Sequence, residues 1–258
     1  MQVKKANMSV LGCGWLGLPL ATYLVQQGFI VNGSIRSAEK KTLLHSKNIT
    51  PFLIDIDEEH PVDVDFLAVD VLVITVSSKN NVGFQTLISQ IEKSSIKKVL
   101  FISATSVYPV SENRIKETDK TLDTPLASIE KLFLNHSGFE TTILRFGGLF
   151  GEHRHPGNFF KNGRIVKNPE GVVNMIHQED CIEIIYRIIE KGIETEIFNA
   201  CADGHPTRRA FYTHAKLKLG LEAPVFEENQ PIQMKKICSE KLKNNLNFTF
   251  KHSDLSTI

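Results

Sequence analysis

The segment from Met8 to Gly28 contains an apolar run, a glycine-rich turn and an amphipathic stretch, in that order. Gly12, Gly14 and Gly17 form a Gly-x-Gly-x-x-Gly pattern directly after the apolar residues. In such a turn the first glycine allows a tight bend, the second lets the backbone approach a pyrophosphate, and the third lets the helix pack close to the sheet. The N–H groups of the first helical turn then face the phosphates. The pattern therefore predicts a dinucleotide-binding βαβ unit.

Apolar runs alternate with helical periodicity along much of the chain. Unbroken apolar runs at 71–76 and 99–103 are typical of parallel strands buried on both faces. Strands that alternate with helices predict an α/β fold, a Rossmann-type doubly wound parallel sheet with a small C-terminal substrate lobe. We expect a dinucleotide-binding domain at residues 1–150 and the lobe at 151–258, with about 174–200 returning to the sheet.

The pattern after residue 174 predicts two further elements. Helical periodicity predicts a helix over Cys181–Lys191, with Asp180 as its N-cap, and Glu196–Ala200 is expected to form a strand. A helix over Arg208–Leu219 is followed by what we expect to be a polar tail.

The composition points to a globular protein that works through a pocket. The length of 258 residues suits one doubly wound domain with a smaller appendage, and the formal net charge of +1 favours neither nucleic acid nor an anionic membrane as partner. We found neither a secretory signal pattern nor an apolar run of membrane-spanning length, so we expect a cytoplasmic protein with a small-molecule substrate. The cysteines are scattered without a Cys-x-x-Cys pair, so neither a metal site nor a disulfide framework is expected.

Three later segments extend the pattern begun by the glycine motif. They are Phe101–Pro109 (FISATSVYP), Leu144–Gly151 (LRFGGLFG) and Ile176–Asp180 (IHQED). With the glycine motif, and in this order, they resemble the extended short-chain dehydrogenase/reductases, the NAD-dependent epimerase/dehydratase family. The resemblance runs from about Ser9 to Leu219 and is strongest for an atypical bacterial branch described as epimerase-like or NAD(P)-binding. It implies an oxidoreductase or epimerase relative that acts on a small polar substrate.

The resemblance also implies a set of cofactor contacts at the carboxyl ends of the strands, where such folds bind ligands. These residues are Gly12, Gly14, Trp15, Leu16, Gly17, Arg36, Ser37, Thr75, Val76, Ser77, Ser103, Phe146 and Gly147. Phe146 and Gly147 would border the nicotinamide, although Gly147 and Gly148 also fit a simple turn after a strand.

The region after the second predicted strand bears on the choice of cofactor. NAD sites of this type usually have an acidic residue there for the ribose hydroxyls, but Asn32–Ser37 contains none. Arg36 can pair with a 2′-phosphate, and Ser34 or Ser37 can donate a hydrogen bond to it. We therefore predict NADP, with NAD as the alternative if Arg36 is only a solvated surface charge.

The residues that carry proton chemistry in the family are missing here. Family members use a Ser or Thr after the fifth strand and a Tyr-x-x-x-Lys pair on the next helix. Counting back from Tyr108, the hydroxyl position falls on Ala104. If Lys131 is taken as the motif lysine, the tyrosine position is occupied by Ala127. If Glu130 is instead taken as the family's downstream carboxylate, the tyrosine and lysine positions are occupied by Leu122 and Leu126. The family's standard mechanism is therefore not expected.

Other residues are candidates for the missing roles. We predict Thr105 and Tyr108 as catalytic residues, although Tyr108 also fits a packed position at the start of a loop. His153 and His155, which flank Arg154, are predicted to bind substrate, and their spacing does not indicate a metal site. The alternative is a non-catalytic NADP-binding sensor or scaffold. By analogy with the family, a homodimer through 126–134 is possible in either case.

Overall fold

The computed structural model describes residues 7–58, 60–161 and 163–257. The strands are β1 (Asn7–Leu11), β2 (Ile30–Ile35), β3 (Thr50–Leu53), β4 (Val71–Ile74), β5 (Lys98–Ala104), β6 (Arg114–Ile115), β7 (Glu140–Phe146), β8 (Gly148–Phe150), β9 (Met175–His177), β10 (Glu196–Ala200) and β11 (Lys236–Ile237). The helices are α1 (Gly17–Gln26), α2 (Lys41–His45), α3 (Val64–Leu67), α4 (Asn81–Glu92), α5 (Pro125–Leu134), α6 (Gln178–Lys191), α7 (Arg208–Lys218) and α8 (Glu240–Leu246).

The central sheet confirms the predicted doubly wound fold. Its seven strands have the order β10-β7-β5-β4-β1-β2-β3 and form a central parallel sheet with flanking helices. From β1, the strands β2 and β3 follow on one side of the sheet. The later strands β4, β5, β7 and β10 follow on the other side. The order therefore reverses between β1 and β4, which is the switch point where open α/β sheets bind ligands. The glycine turn leaves β1 at this point.

The chain divides into two compact units whose segments interleave. The first comprises Met1–Ser103, Asp123–Leu144 and Tyr186–Ile197. Its core includes aromatic side chains from α4, β5 and α5. The ring of Phe101 stacks on that of Phe133 with centroids 5.2 Å apart, and Phe84 meets both rings edge-on. Aromatic pairs in these orientations add to the stability gained from burial, so they fasten both helices to the strand.

The second unit comprises Ala104–Leu122, Arg145–Ile185 and Phe198–Ile258. It contains two small parallel sheets, β6 with β11 and β8 with β9. Its hydrophobic core is built from Phe150, Val173, Met175, Ala202, Phe211 and Leu255. The assignment of domains to residues 1–150 and 151–258 stays a prediction.

One local expectation was wrong. Asp180 does not cap α6, because the helix begins two residues earlier, at Gln178. The Asp180 carboxylate instead accepts the backbone N–H groups of Lys251 and His252, at 2.8 and 3.1 Å. The expected polar tail contains α8, with Leu242 fully buried. Among the described residues, no helix has the length and apolar character needed to cross a membrane.

Candidate functional site

The three glycines after β1 face different surroundings. Gly12 has a φ of +101°, and a Cβ there would lie 2.7 Å from Cγ1 of Val76. A Cβ on Gly17 would lie 2.1 Å from the carbonyl oxygen of Gly12. The fold itself therefore requires glycine at both positions. Gly14 is exposed, and a Cβ there would meet no protein atom within 4 Å. This open space fits the approach of a pyrophosphate to the backbone.

Side chains from two neighbouring strands hold the turn in place. The N–H of Gly12 donates to Oγ of Ser34 at 2.7 Å, and the N–H of Cys13 donates to the Ser34 carbonyl at 2.7 Å. From the other side, Oγ1 of Thr75 donates to the carbonyl of Gly12 at 2.7 Å. Ser34 is only 1% exposed. Of the two serines predicted to reach a 2′-phosphate, Ser37 is therefore the accessible one.

The start of α1 suits an anionic ligand. Trp15 and Leu16 lie in the turn, and the N-cap residue Leu16 makes no side-chain capping bond. The first turn contains no acidic residue. A helix N-terminus without a side-chain cap presents partial positive charge and N–H donors, so a phosphate is stabilised there. Burial raises the pKa of the nearby Cys13 thiol to about 12, so this thiol stays protonated and unreactive.

Arg36 lies just beyond β2 and is solvent-accessible. Its side chain is 76% exposed, and Nη1 lies 3.8 Å from Oδ2 of Asp55. An exposed pair at this distance contributes little, so the guanidinium remains available to a ligand. Asp55 was not predicted as a site residue, because nothing local in the sequence indicated that the loop after β3 lies beside Arg36.

The ends of β4 and β5 hold the other predicted contacts of the first unit. Val76 and Ser77 follow Thr75, and Ser77 is exposed. At the end of β5, Oγ of Ser103 donates to Oε1 of Glu130 on α5 at 2.5 Å, and both residues are buried. In the sequence, Glu130 served only to set one register of the Tyr-x-x-x-Lys motif. Its position on the apolar face of α5 was the signal that this carboxylate is buried.

Tyr108 lies in a buried polar network of the second unit. Nη1 of Arg145 donates to the Tyr108 hydroxyl at 2.5 Å, and this hydroxyl donates to Oδ1 of Asn199 at 2.9 Å. The N–H of Asn199 donates to Oε1 of Glu117 at 2.8 Å. Tyr108 is 1% exposed, and burial raises its pKa despite the opposing effect of Arg145. Its hydroxyl is therefore protonated near neutral pH and already has two partners.

The predicted site residues just after β5 and at the end of β7 are also buried. Thr105 begins a short 3-10 turn and is 8% exposed, and Phe146 is 1% exposed. A Cβ on Gly147 would lie 2.5 Å from the carbonyl oxygen of Asn174 and 2.8 Å from Sγ of Cys201. Close packing therefore requires glycine at position 147.

The two candidate substrate-binding histidines have different surroundings. His153 adopts a positive φ of 59°, and its side chain is 86% exposed, 3.7 Å from a carboxylate oxygen of Glu152. Nδ1 of His155 accepts the N–H of Gly157 at 3.1 Å. Partial burial, with a smaller contribution from Lys218, lowers the pKa of His155. His155 is therefore neutral near pH 7, and its Nε2 carries the proton.

Neither possible register supplies the family's tyrosine and lysine pair. Helix α5 begins at Pro125 with the side chain of Thr124 as its N-cap. Leu122 precedes the helix, and Ala127 is buried on it, whereas Lys131 is exposed. The described structure therefore has no Tyr-x-x-x-Lys pair on this helix.

Comparison with known protein families agrees with the fold. A family model described as NAD(P)H-binding matches residues 12–191, which begin in the glycine turn and end with α6. The chain belongs to this NAD(P)H-binding family. The match confirms the nicotinamide-binding part of the resemblance seen in the sequence. The fold is also that of solved epimerase- and dehydratase-type proteins under 25% identical, a likeness that establishes the fold alone. A nicotinamide cofactor follows from the family, whereas the choice between NAD and NADP does not.

Individual relatives of this NAD(P)H-binding protein cover nearly its whole length. Protein YeeZ of Escherichia coli K12 is 31% identical over 266 aligned positions, which include 96% of this chain and 97% of YeeZ. A functionally unknown conserved protein from Silicibacter pomeroyi has a TM-score of 0.81 at 18% identity, covering 98% of this chain and 96% of its own. A dTDP-glucose 4,6-dehydratase from Bacillus anthracis, solved with NAD, has a TM-score of 0.80 at 17% identity, covering 98% and 95%. At these identities the two solved structures establish the fold alone.

Proposed function

We propose that the first unit binds NADP, with the pyrophosphate against the glycine turn and the first turn of α1. The main support for this proposal is the difference in surroundings among the three glycines. Protein contacts require glycine at Gly12 and Gly17, whereas Gly14 faces open space. A glycine that internal packing does not require fits a position where the backbone meets a ligand. When bound, a nicotinamide donates or accepts a hydride.

Arg36 favours NADP over NAD. The guanidinium is exposed, and Asn32–Ser37 offers no carboxylate to the ribose hydroxyls. The alternative, NAD, would rely on a carboxylate from elsewhere, and Asp55 beside Arg36 is the candidate. Titration calorimetry with NADPH and NADH decides between them. We expect tighter binding of NADPH and loss of that preference in Arg36→Ala. Tighter binding of NADH by about tenfold, or unchanged NADPH affinity in the variant, contradicts the assignment.

The reaction we propose is that of an oxidoreductase or epimerase relative that acts on a small polar substrate without the Tyr-x-x-x-Lys pair. Thr105 and Tyr108 remain the candidates for proton transfer, and His153 and His155 for substrate contact. His155 suits this role because its neutral ring can donate one hydrogen bond while Nδ1 caps the turn at Gly157. Family membership supports a nicotinamide-dependent reaction of this class.

The burial of Tyr108 favours a second candidate, a non-catalytic NADP-binding sensor or scaffold. Its hydroxyl is bonded to Arg145 and Asn199, and the residue is 1% exposed. A proton donor must come within hydrogen-bond distance of the substrate. In the described structure this hydroxyl belongs to a buried residue and is already bonded to protein groups. Ala104 offers no hydroxyl at the family's other position.

One experiment separates the two candidates. The protein is incubated with NADPH and a panel of carbonyl compounds and nucleotide sugars, and NADPH oxidation and product formation are followed. Turnover that is lost in Tyr108→Phe or His155→Ala, and kept in His45→Ala, supports the enzyme. His45 is the control because it is an exposed histidine at the end of α2. Saturable NADPH binding without turnover anywhere on the panel supports the sensor.

A further inference from the structure

In the second unit, the side chains of two residues near the start of α6 meet a third side chain from far along the chain. His177 ends β9, Glu179 lies in the first turn of α6, and His252 belongs to the C-terminal segment. One nitrogen or oxygen atom of each lies within 4.8 Å of the other two. The two imidazole rings have centroids 3.7 Å apart. Two histidines and one carboxylate are a common set of protein ligands for Zn²⁺.

The spacing of one pair already suits a single ion. Nε2 of His252 lies 3.3 Å from Oε2 of Glu179. Two tetrahedral ligands with bonds of about 2.1 Å to zinc lie about 3.4 Å apart. This pair therefore needs no large movement to share a cation, and His177 completes a set of three. Three protein ligands leave one tetrahedral position open for water or another anion.

Buried groups fix the backbone that carries these side chains. Asp180 is 2% exposed, and its two carboxylate oxygens accept the N–H groups of Lys251 and His252. These bonds hold the segment with His252 against the start of α6. His177 is placed by β9 and packs edge-on against the ring of Phe150, with centroids 5.0 Å apart. Ligands on an anchored backbone lose little freedom when a metal binds.

Two existing interactions compete with a cation at this position. The ammonium of Lys251 donates to Glu179 Oε2, and the N–H of Glu179 donates to Nδ1 of His177 at 3.2 Å. A divalent ion would replace the ammonium as the positive partner of the carboxylate. Binding through Nε2 of His177 would move the ring proton to Nδ1, at the cost of that hydrogen bond.

We propose that His177, Glu179 and His252 form a binding site for a divalent cation of the zinc class, which fastens the C-terminal segment to the start of α6. The sequence did not predict this site, because 73 residues separate Glu179 from His252 and no ligand spacing connects them. These three ligands are not among the residues assigned to the cofactor or to the substrate.

Zinc binding to the full chain tests the proposal directly. The protein is stripped with a chelator and titrated with ZnCl₂ in a calorimeter at pH 7.5. We expect one saturable equivalent and a higher melting temperature. Titration with CoCl₂ is expected to give the visible absorption of a tetrahedral site. The absence of a saturable equivalent, or an octahedral cobalt spectrum, overturns the proposal.

Variants distinguish this site from adventitious binding. Glu179→Gln and His252→Ala are each expected to weaken zinc binding at least about tenfold. Lys251→Met is expected to tighten it, because the competing ammonium is removed. His136→Ala is the control, since His136 lies 2.6 Å from Glu92 and forms a histidine–carboxylate pair outside the proposed set. Glu179 is half-exposed, so its variant is expected to fold. Unchanged affinity in both ligand variants, or equal weakening in His136→Ala, overturns the assignment.

Discussion

The hydroxyl of Ser34 accepts the backbone N–H of Gly12 at 2.7 Å, beneath the turn that leaves β1. The carbonyl of the same serine accepts the next N–H, from Cys13. One residue on β2 thus satisfies two consecutive donors of a turn whose φ of +101° at Gly12 only glycine adopts readily. The conformation of the proposed phosphate site depends on a neighbouring strand as well as on its own glycines.

Replacement of Ser34 by alanine is therefore expected to destabilise the protein. The Gly12 N–H would lose its partner in a part-buried position, which costs about 1–3 kcal/mol. Urea denaturation measures the change in the free energy of unfolding. Ser37→Ala is the control, because Ser37 makes no side-chain capping bond to the 3-10 turn that it precedes. Equal stability of the two variants would show that the Ser34 hydroxyl does not support the turn.

Tyr108→Phe is expected to lower the free energy of unfolding by about 2 kcal/mol, because Asn199 and Arg145 each lose a buried partner. Tyr212→Phe removes a hydroxyl for which the described residues provide no hydrogen-bond partner, so this control is expected to change stability little. Denaturation of both variants provides the measurement. Similar effects of the two substitutions would argue against the buried network.

The free energy of unfolding is expected to decrease as the pH falls from 7 to 5. Burial is the largest cause of the lowered pKa values of His155, His177 and His205. Below the usual value of 6.5, the unfolded chain therefore binds more protons than the folded one, and stability declines with pH. His205→Gln is expected to reduce the slope of unfolding free energy against pH in this interval. A flat or inverted profile for the unsubstituted protein contradicts the expectation.

Structural elements that depend only on residues close together in the sequence were predicted well. The turn from β1 into α1 and strand Glu196–Ala200 follow from apolar runs bounded by glycines or polar residues. Such patterns report which face of an element is buried, and this is a local property. The family resemblance added the expectation of a nicotinamide-binding protein, and the NAD(P)H-binding family match over residues 12–191 confirms it.

The partners of the polar side chains could not be predicted in the same way. Asp180 fits a helix cap when only its neighbours are considered, yet it binds backbone 71 and 72 residues away. Tyr108 fits a proton donor until Asn199, 91 residues later, is placed against its hydroxyl. A single sequence carries no local signal for contacts across such separations, so the roles of these side chains depend on the tertiary fold.

The affinity of Gly14→Val for NADPH tests the central claim most directly. A Cβ at Gly14 would meet no protein atom within 4 Å, and the position is exposed, so the variant is expected to unfold at nearly the same denaturant concentration as the unsubstituted protein. The valine side chain would occupy the space that we assign to the pyrophosphate. We predict that calorimetry will show NADPH binding weakened by at least about tenfold, a loss of about 1.4 kcal/mol. Unchanged NADPH affinity in a folded Gly14→Val protein would contradict the account.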